Sequence, residues 1–369
     1  LMETPWVRQA KSESEARRNM GILFDDNRLH DEKRRTFEKL KQMQLSDGAW
    51  PWFPGGKGND YITLYITTGF GRLGHLGVDI DSSLAIKSLN RLDNWINKTY
   101  RSILKNGKKE NNHLSSTIAL YLYGRSFFLE QQKINSNAQE AVNYFLGQAS
   151  EYWLKLGNRQ SQGHVALALH RFGKDKDTPK AIVRSLKERS VSDEEMGMFW
   201  RDEELSWWWH RAPIETQAVM IEVFDEIMND QKSVEECKVW LLKQKQTQDW
   251  KTTKATADAV YALVLRGRDL LASDELVKVS IADRVPIKPE NVESGTGFYE
   301  KRFVGSEIKS DFGKVTVTKV EEGVAWGSVH WQYMEEISKI TPHQGTGLNV
   351  KKTLYNKEYT KEVPLLSTV

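Results

Sequence analysis

Polar turns followed by helices rich in small residues recur in the first 270 or so positions of the chain. The clearest unit begins with the polar turn Gln244–Trp250, and the segment after it contains four alanines. Apolar residues such as Val260 and Leu263 recur there at three- and four-residue spacing, which predicts one apolar stripe on a helix. Thr252 or Thr253 can cap this helix by accepting a free backbone N–H. The alanines would let neighbouring helix backbones approach closely.

The same unit occurs near the other end of this region, where Gln44–Trp50 leads into a helix from about Tyr61. Helices that open with Ser or Thr are predicted near Thr63, Ser115, Ser161, Thr216 and Thr256. Longer, charged amphipathic helices are predicted between them at Asp31–Met43, Ser82–Leu104, Ala138–Leu156, Thr178–Arg189 and Ser233–Lys243. The spacing of roughly 40 to 55 residues suits two helices and two turns per repeat. Alternation of apolar and charged helices indicates an inner and an outer ring, an α/α toroid; an open helical solenoid is the alternative.

The pattern changes from about Leu276 onward. Val277–Ile281 and Lys314–Val320 alternate apolar and polar residues, which predicts half-buried strands. Val324–Tyr333 is a third predicted strand, and Leu348–Tyr355 is a further alternating segment. We expect the large side chains of the third strand to pack in a core: Trp326, Trp331 and Tyr333. The chain is therefore expected to be mainly α, with a smaller antiparallel β-sandwich module after the helices.

Composition limits the classes of function. The chain has 369 residues, 13 of them tryptophan, and 53 basic against 50 acidic residues give a formal net charge of +3. This balance does not favour a nucleic-acid-binding face, and Lys105–Lys109 is interpreted as a solvated helix end. The one cysteine, Cys237, is expected to be buried in an outer helix, without a disulfide or a metal site. The eight histidines lack metal-ligand spacing, and His164 and His170 are expected to bond to backbone or carboxylate groups.

Four segments resemble the bacterial alpha-2-macroglobulins, which belong with the complement thioester proteins. One of them reads Ala-Pro-Ile-Glu-Thr-Gln-Ala, and the four are Gln44–Gly56, Ala212–Ala218, Trp240–Ala259 and Gly323–Gly327. The resemblance implies three parts. Residues 1–272 would be a thioester-type α/α toroid that lacks its N-terminal part. Residues 273–345 would be a CUB-like β module, the second half of a split domain. Residues 346–369 would begin a macroglobulin-like β domain or form a tail.

The resemblance implies a fragment of a broad-range endopeptidase inhibitor that traps attacking proteases after they cut a bait region. Its partners would be proteases and neighbouring domains of the same chain. The whole protein would be secreted or attached to the cell envelope, extracellular or periplasmic. The chain opens within polar sequence and is expected to be an excised piece of that protein.

The family's thioester motif, Cys-x-Glu-Gln, does not occur in this sequence. Phe128–Gln131 has Phe in place of the Cys, and the resemblance puts the thioester ahead of Leu1. The histidine that assists acyl transfer in some relatives also has no counterpart between Asp47 and Tyr61. We therefore expect no catalytic, cofactor-binding or metal-binding residue here, no cofactor, and no enzyme activity.

The main alternative is a carbohydrate-active enzyme, a glycoside hydrolase or lyase, on the same scaffold. The carboxylates Asp202, Glu203 and Glu204 lie close to Trp207–Trp209, which would suit general acid–base work on a sugar. A solvated acidic loop with tryptophans that pack a turn explains the same residues. Asp79–Ser82 resembles the acid motif of terpenoid cyclases but lacks its final carboxylate, and it is interpreted as a helix cap.

A third alternative is a non-covalent protein-binding module. Aromatic residues at the helix turns, Trp50, Trp52 and Phe53, are expected to be exposed and would form its docking surface. Alternatively, these residues only close the ring of helices.

Overall fold

The computed structural model describes residues 26–201, 212–247, 250, 252–265, 277–282, 300–319, 329–334 and 336. The chain divides into two units, residues 1–325 and residues 326–369. The first unit is mainly helical and carries only small antiparallel sheets. In the second unit, the described residues 329–334 and 336 form neither helix nor strand.

Ten α-helices lie in the described part of the first unit. They are α1 Asp26–Met43, α2 Asp60–His75, α3 Ser83–Asn106, α4 Ser116–Ser126, α5 Ser136–Tyr152, α6 Arg159–Phe172, α7 Asp177–Glu188, α8 Pro213–Val223, α9 Gln231–Thr247 and α10 Thr253–Val264. A 3₁₀ turn, Trp153–Lys155, follows α5, and a π-helical turn, Phe224–Met228, follows α8. The predicted helices are confirmed with ends shifted by a few residues.

Side-chain caps explain where most of the even-numbered helices begin. The residue before each of α2, α4, α6 and α10 accepts a hydrogen bond from a backbone N–H of the first turn; these are Asn59, Ser115, Asn158 and Thr252. Such a cap satisfies one of the donors that the helix geometry leaves without a partner. α8 begins instead with Pro213, which has no N–H to satisfy. The predicted cap at Thr252 is confirmed.

The even-numbered helices pack in chain order, α2 on α4, α4 on α6, α6 on α8 and α8 on α10. Small residues make this possible, because a Cβ on Gly124 of α4 would lie 2.3 Å from Oγ1 of Thr68 on α2. A Cβ on Gly163 of α6 would lie 2.6 Å from Cγ1 of Val219 on α8. The odd-numbered helices pack around them, with α3 on α2 and α5, α7 on α6, and α9 on α8.

Apolar side chains of both sets of helices form the larger core, and Cys237 of α9 is fully buried in it as a free thiol. A smaller cluster around Trp50 and Phe70 lies beside α1. None of the described helices combines the length and the apolar character needed to cross a membrane.

Three two-stranded antiparallel sheets lie in the described residues. β5 Lys278–Ile281 pairs with β6 Val315–Thr318, with Lys278 opposite Thr318, so these two predicted strands are confirmed. The other two sheets were not predicted. They are hairpins between helices, formed by β1 Trp50–Pro51 with β2 Gly58–Asn59, and by β3 Val191–Asp193 with β4 Gly197–Phe199.

The third predicted strand is wrong over its described part. Residues 329–334 pair with no strand among the described residues, and a strand needs a neighbour that takes up its backbone N–H and C=O groups. Trp331 and Tyr333 are 53% and 75% exposed, so they do not pack in a core as expected. Trp326 and the further segment Leu348–Tyr355 lie outside the described residues.

Candidate functional site

Charged and hydroxyl-bearing side chains from all five even-numbered helices meet between those helices. We call this group the polar cluster; its members are Tyr65 and Arg72 of α2, Tyr123 of α4, His164 and Arg171 of α6, Glu215 and Glu222 of α8, Glu226 of the π turn, and Lys254, Asp258 and Tyr261 of α10. Most members are buried, although the helices that carry them are otherwise rich in apolar residues.

Arg72 links three helices within the polar cluster. Its guanidinium forms an ion pair with Asp258 of α10, and its Nε donates to the hydroxyl of Tyr123 on α4 at 3.1 Å. The same guanidinium lies 4.8 Å from the ring centre of Tyr261, a cation–π contact. Burial by itself would lower the pKa of Arg72, but Asp258, Tyr123, Glu222 and Tyr261 together outweigh it and raise that pKa. Arg72 therefore stays charged.

A second set of contacts joins α8 and α2 to α10. Nζ of Lys254 lies 3.0 Å from a carboxylate oxygen of Glu215 and 3.7 Å from one of Asp258. The hydroxyl of Tyr65 donates to Asp258 at 3.3 Å. Burial and the charge of Asp258 raise the pKa of Tyr65, so its phenol remains protonated as a donor. Glu215 and Lys254 come from two of the segments that resemble alpha-2-macroglobulins.

Glu222 is the fully buried acceptor of the polar cluster. Its carboxylate accepts hydrogen bonds from the hydroxyls of Tyr123 and Tyr261 and, at 2.6 Å, from the guanidinium of Arg171. Arg171 also pairs with Glu226, with Nε 2.8 Å from Oε1. Burial opposes ionisation of Glu222, but the charges of Arg171 and Arg72 prevail and lower its pKa. The buried carboxylate is thus ionised and fully occupied by donors.

One group in this region has the composition of a metal site. The candidate ligand atoms of His75, Glu222 and Glu226 all lie within 4.8 Å of one another. Imidazole and carboxylate are ligands that zinc and related ions use. Arg171 already donates to both carboxylates, so a metal ion would have to displace its guanidinium. We therefore interpret the group as an ion-pair network.

His164 lies buried among these charges. Its side chain is 4% exposed and its ring stacks on Tyr123, with centroids 4.6 Å apart and planes 18° from parallel. Among the described residues, neither ring nitrogen has a partner. The expectation that backbone or carboxylate groups bond to His164 is therefore wrong, because the acids nearby are taken up by arginine and tyrosine. Burial, followed by the charges of Arg72 and Lys254, lowers its pKa well below the ordinary value.

The acidic residues of the enzyme alternative, Asp202, Glu203 and Glu204, lie outside the described residues, as do Trp207–Trp209. Trp200, just before them, is buried and donates from its indole nitrogen to the carbonyl of Leu186 at 2.9 Å. In the cyclase-like segment, Asp81 accepts hydrogen bonds from the amide and the hydroxyl of Ser83, the first residue of α3, whereas the N-cap residue Ser82 makes no side-chain cap. Phe128 of the motif that mimics the thioester is buried in the turn after α4.

Of the three aromatic residues proposed as a docking surface, one is buried and two are exposed. Trp50 is fully buried, donates its indole N–H to the carbonyl of Leu40 at 2.8 Å and stacks on Phe70, so its predicted exposure is wrong. Trp52 and Phe53 are 55% and 69% exposed at the tip of the β1–β2 hairpin, as expected. The expectation failed for Trp50 because Trp50 lies within strand β1, whereas Trp52 and Phe53 lie in the loop beyond the paired residues.

The sequence interpretation missed the polar cluster as a whole. A signal was present, because Arg72 and Arg171 stand in the last turns of helices otherwise suited to close packing. A charged residue on an apolar helix requires a buried partner. The sequence does not identify that partner, since Asp258 lies 186 residues from Arg72.

Comparison with known proteins gives similarity only at the level of solved structures. No family model matches this sequence, and no curated protein matches it. Elastase-activated Escherichia coli alpha-2-macroglobulin is similar with a TM-score of 0.42 and 20% identity, over 69% of this chain and 21% of that one. Native Escherichia coli alpha-2-macroglobulin, from domain MG7 to the C-terminus, gives a TM-score of 0.39 and 18% identity. The match covers 74% of this chain and 37% of that one.

A mutant of Salmonella alpha-2-macroglobulin is similar with a TM-score of 0.44 and 18% identity, over 70% of this chain and 16% of that one. The predicted resemblance to bacterial alpha-2-macroglobulins is thus confirmed at the level of structure comparison. The chain spans 21%, 37% and 16% of the length of these three solved chains. Similarity at this level assigns neither an activity nor a partner to the chain.

Proposed function

We propose that this chain is part of a bacterial alpha-2-macroglobulin-like inhibitor of endopeptidases, and that its helices form the α/α toroid of that protein. The protein would trap a protease that cuts its bait region. β5 and β6 would belong to the CUB-like module, and the protein would act outside the cell or in the periplasm. The chain itself would supply a scaffold without catalytic residues.

The packing order of the even-numbered helices supports the toroid. They follow one another from α2 to α10, and the ion pair of Arg72 with Asp258 then joins α10 back to α2. A toroid requires such a contact between its first and last helices, so this ion pair supports the proposal. In an open solenoid each repeat contacts only its neighbours, so the first and last repeats would not meet.

The position of the family-like segments carries the proposal of function. Trp50, Glu215 and Lys254 come from three of the four segments, and each of them joins separate elements. Trp50 bonds to α1 and to Thr63 of α2, and Lys254 bonds to Glu215 across α8 and α10. Residues from three of the segments that resemble the inhibitor family therefore take part in the contacts that join the helices.

The same contacts disfavour the carbohydrate-active alternative. An enzyme on this scaffold needs carboxylates that face an open cleft where a sugar can bind. Glu222 and Asp258 are instead buried, and arginine and tyrosine side chains occupy them. Fold alone leaves either function open, and these two engaged carboxylates give the enzyme alternative no support; its own carboxylates, Asp202, Glu203 and Glu204, lie outside the described residues.

Protease trapping can be tested with the longest natural polypeptide that contains these 369 residues. We would incubate it with proteases of different specificity and then measure cleavage of a large protein substrate and of a small chromogenic peptide. An enclosed protease keeps its active site but excludes large substrates. We therefore expect loss of protein digestion at near-equimolar inhibitor while peptide cleavage persists.

A version of the polypeptide with its protease-sensitive region replaced by an uncleavable linker is the matched control, and it should leave digestion of the large substrate unchanged. Equal digestion of the large substrate with and without the natural polypeptide, for every protease tested, would contradict the proposal. Loss of peptide cleavage in parallel with protein cleavage would indicate an ordinary active-site inhibitor instead.

A further inference from the structure

Polar side chains join α2 to α10, and these two described helices lack the close backbone packing found between α4 and α2 and between α6 and α8. Glycines bring α4 close to α2 and α6 close to α8. α2 and α10 are joined by long polar side chains, through the ion pair of Arg72 with Asp258 and the 3.3 Å hydrogen bond from Tyr65 to Asp258. A junction of this kind depends on the charges that surround it.

His164 lies close to the charges of this junction, and protonation of its imidazole would add a positive charge to them. Its ring stacks on Tyr123, and Arg72 of the junction also contacts Tyr123, by a hydrogen bond to the hydroxyl and by its guanidinium 5.5 Å from the ring centre. The charges that act on the imidazole come from three different helices: Arg72 of α2, Lys254 of α10 and Arg171 of α6 itself. All three are positive.

The acidic and phenolic groups of the surrounding helices are already engaged. On α8, Glu222 accepts from Tyr123, Tyr261 and Arg171. On α10, Asp258 accepts from Arg72 and Tyr65. α7 and α5 also pack on α6, but among the described residues they add no charge that acts on the imidazole.

We propose that the junction of α2 with α10 is an acid-operated latch, closed while the imidazole of His164 is neutral and released when it gains a proton. An imidazolium has two N–H donors and needs two acceptors. Neither ring nitrogen of His164 has a partner among the described residues, and the positive charge would face Arg72, Lys254 and Arg171. In the proposed open form, α10 moves away from α2 and carries Lys254 away from the imidazole, which water then reaches. The latch is independent of whether the chain inhibits proteases.

The direction of the pH effect follows from linkage between protonation and opening. In the closed junction burial keeps the pKa of His164 well below its ordinary value, and opening returns it towards about 6.5. Below that pH the open form binds the proton more readily, so acid favours opening. The ratio of open to closed forms should rise about tenfold between pH 7.5 and pH 5.5. Glu222, whose ordinary pKa is near 4.5 and whose pKa is lowered in the fold, adds acid sensitivity only at lower pH.

Hydrogen exchange of the full 369-residue chain tests the latch. Exchange rates of the α10 amides Ala255–Ala262 would be measured at pH 7.5 and pH 5.5 and divided by the intrinsic rate at each pH. We expect the corrected rates to rise about tenfold at pH 5.5 in the wild type. His164→Phe keeps an aromatic ring against Tyr123 but cannot gain a proton, so its rates should not respond. The controls are His170→Gln, an exposed position on the same helix, and His75→Gln at the edge of the polar cluster; both should keep the wild-type response.

NMR of the labelled imidazoles gives a second measurement, which does not depend on the stability of His164→Phe. The signal of His164, assigned by its absence in His164→Phe or His164→Gln, should titrate with the same midpoint as the opening of α10. A latch worked by His164 is ruled out if the wild-type α10 rates are equal at both pH values, or if His164→Phe keeps the acid response. It is also ruled out if α10 opens while the imidazole of His164 stays neutral.

Discussion

Arg72 on α2 and Asp258 on α10 form a buried ion pair although 186 residues separate them in the chain. Their side chains are 9% and 2% exposed, so neither charge can turn to water if the other is removed. A buried pair adds little net stability over an apolar pair of similar shape, but loss of one partner leaves an isolated buried charge. The two residues therefore stabilise the contact between α2 and α10 only when both are present.

Replacement of one partner should be strongly destabilising, and replacement of both much less so. We expect Arg72→Met to lower the free energy of unfolding by about 3–5 kcal/mol, because Asp258 is left buried and unpaired. Arg72→Met with Asp258→Leu should recover part of that loss, which shows as a non-additive term in a double-mutant cycle. Urea unfolding of the single and double variants measures the loss of stability and the non-additive term. Arg34→Met, which breaks the exposed pair with Asp31, is the matched control and should change stability by less than about 1 kcal/mol.

Close approach of α6 and α8 at Gly163 gives a second prediction. A Cβ there would lie 2.6 Å from Val219 Cγ1, so Gly163→Ala should force the helices apart and cost about 1–3 kcal/mol. Gly147→Ala on α5 is the control, because a Cβ there meets nothing within 4 Å. That substitution should instead stabilise the chain by about 0.5–1 kcal/mol through helix propensity. Equal thermal unfolding temperatures for the two variants would mean that the helices do not approach closely at Gly163.

The sequence predicted the helices well because their signals are local. Spacing of apolar residues and a Thr before α10 each act within a few residues. The hairpins β1–β2 and β3–β4 were not predicted because strands of two or three residues are too short to show an alternating pattern.

The polar cluster was not predicted because its contacts join residues that are far apart in the sequence. Glu222 meets Tyr123 across 99 positions of the chain, and no local pattern encodes such a contact.

The acid sensitivity of Glu222 gives a prediction on stability. Burial opposes its ionisation, but Arg171 and Arg72 hold its pKa in the fold below the ordinary value of 4.5. Stability from this carboxylate is present above pH 4.5 and is lost as the pH falls through the lowered pKa. The urea midpoint of the wild type should therefore fall more between pH 6 and pH 4 than that of Glu222→Gln. Glu38→Gln on the exposed side of α1 should behave like the wild type; a wild-type response in Glu222→Gln would contradict the assignment.

The chain should have no covalent reactivity of its own. Incubation with a labelled amine should give no incorporation, because the sequence has no Cys-x-Glu-Gln motif. Burial raises the pKa of the Cys237 thiol, so a thiol reagent should detect one equivalent only after unfolding. Mass spectrometry and thiol titration measure these outcomes. Glycan cleavage that disappears in Asp202→Ala or Glu204→Ala would establish the enzyme alternative instead.

The β5–β6 pair should be the less protected part of the first unit. The two strands pair only with each other among the described residues, and Val317 is 60% exposed, so little apolar burial holds the pair together. A two-stranded hairpin is marginally stable by itself in water. In α10, by contrast, Ala259 and Ala262 are fully buried against neighbouring helices. Amides that open only with the core exchange slowly, whereas those of a weakly packed pair open locally.

Hydrogen exchange of dilute monomer at neutral pH should therefore show faster exchange for Val315–Thr318 than for Ala257–Leu263. If the free strand edges recruit a second chain, protection of β6 should rise with protein concentration while that of α10 stays constant. A dilution series separates the two effects. Equal, high protection of both regions in a strict monomer would mean that the β module is complete by itself, and the split CUB-like domain implied by the resemblance would then be wrong.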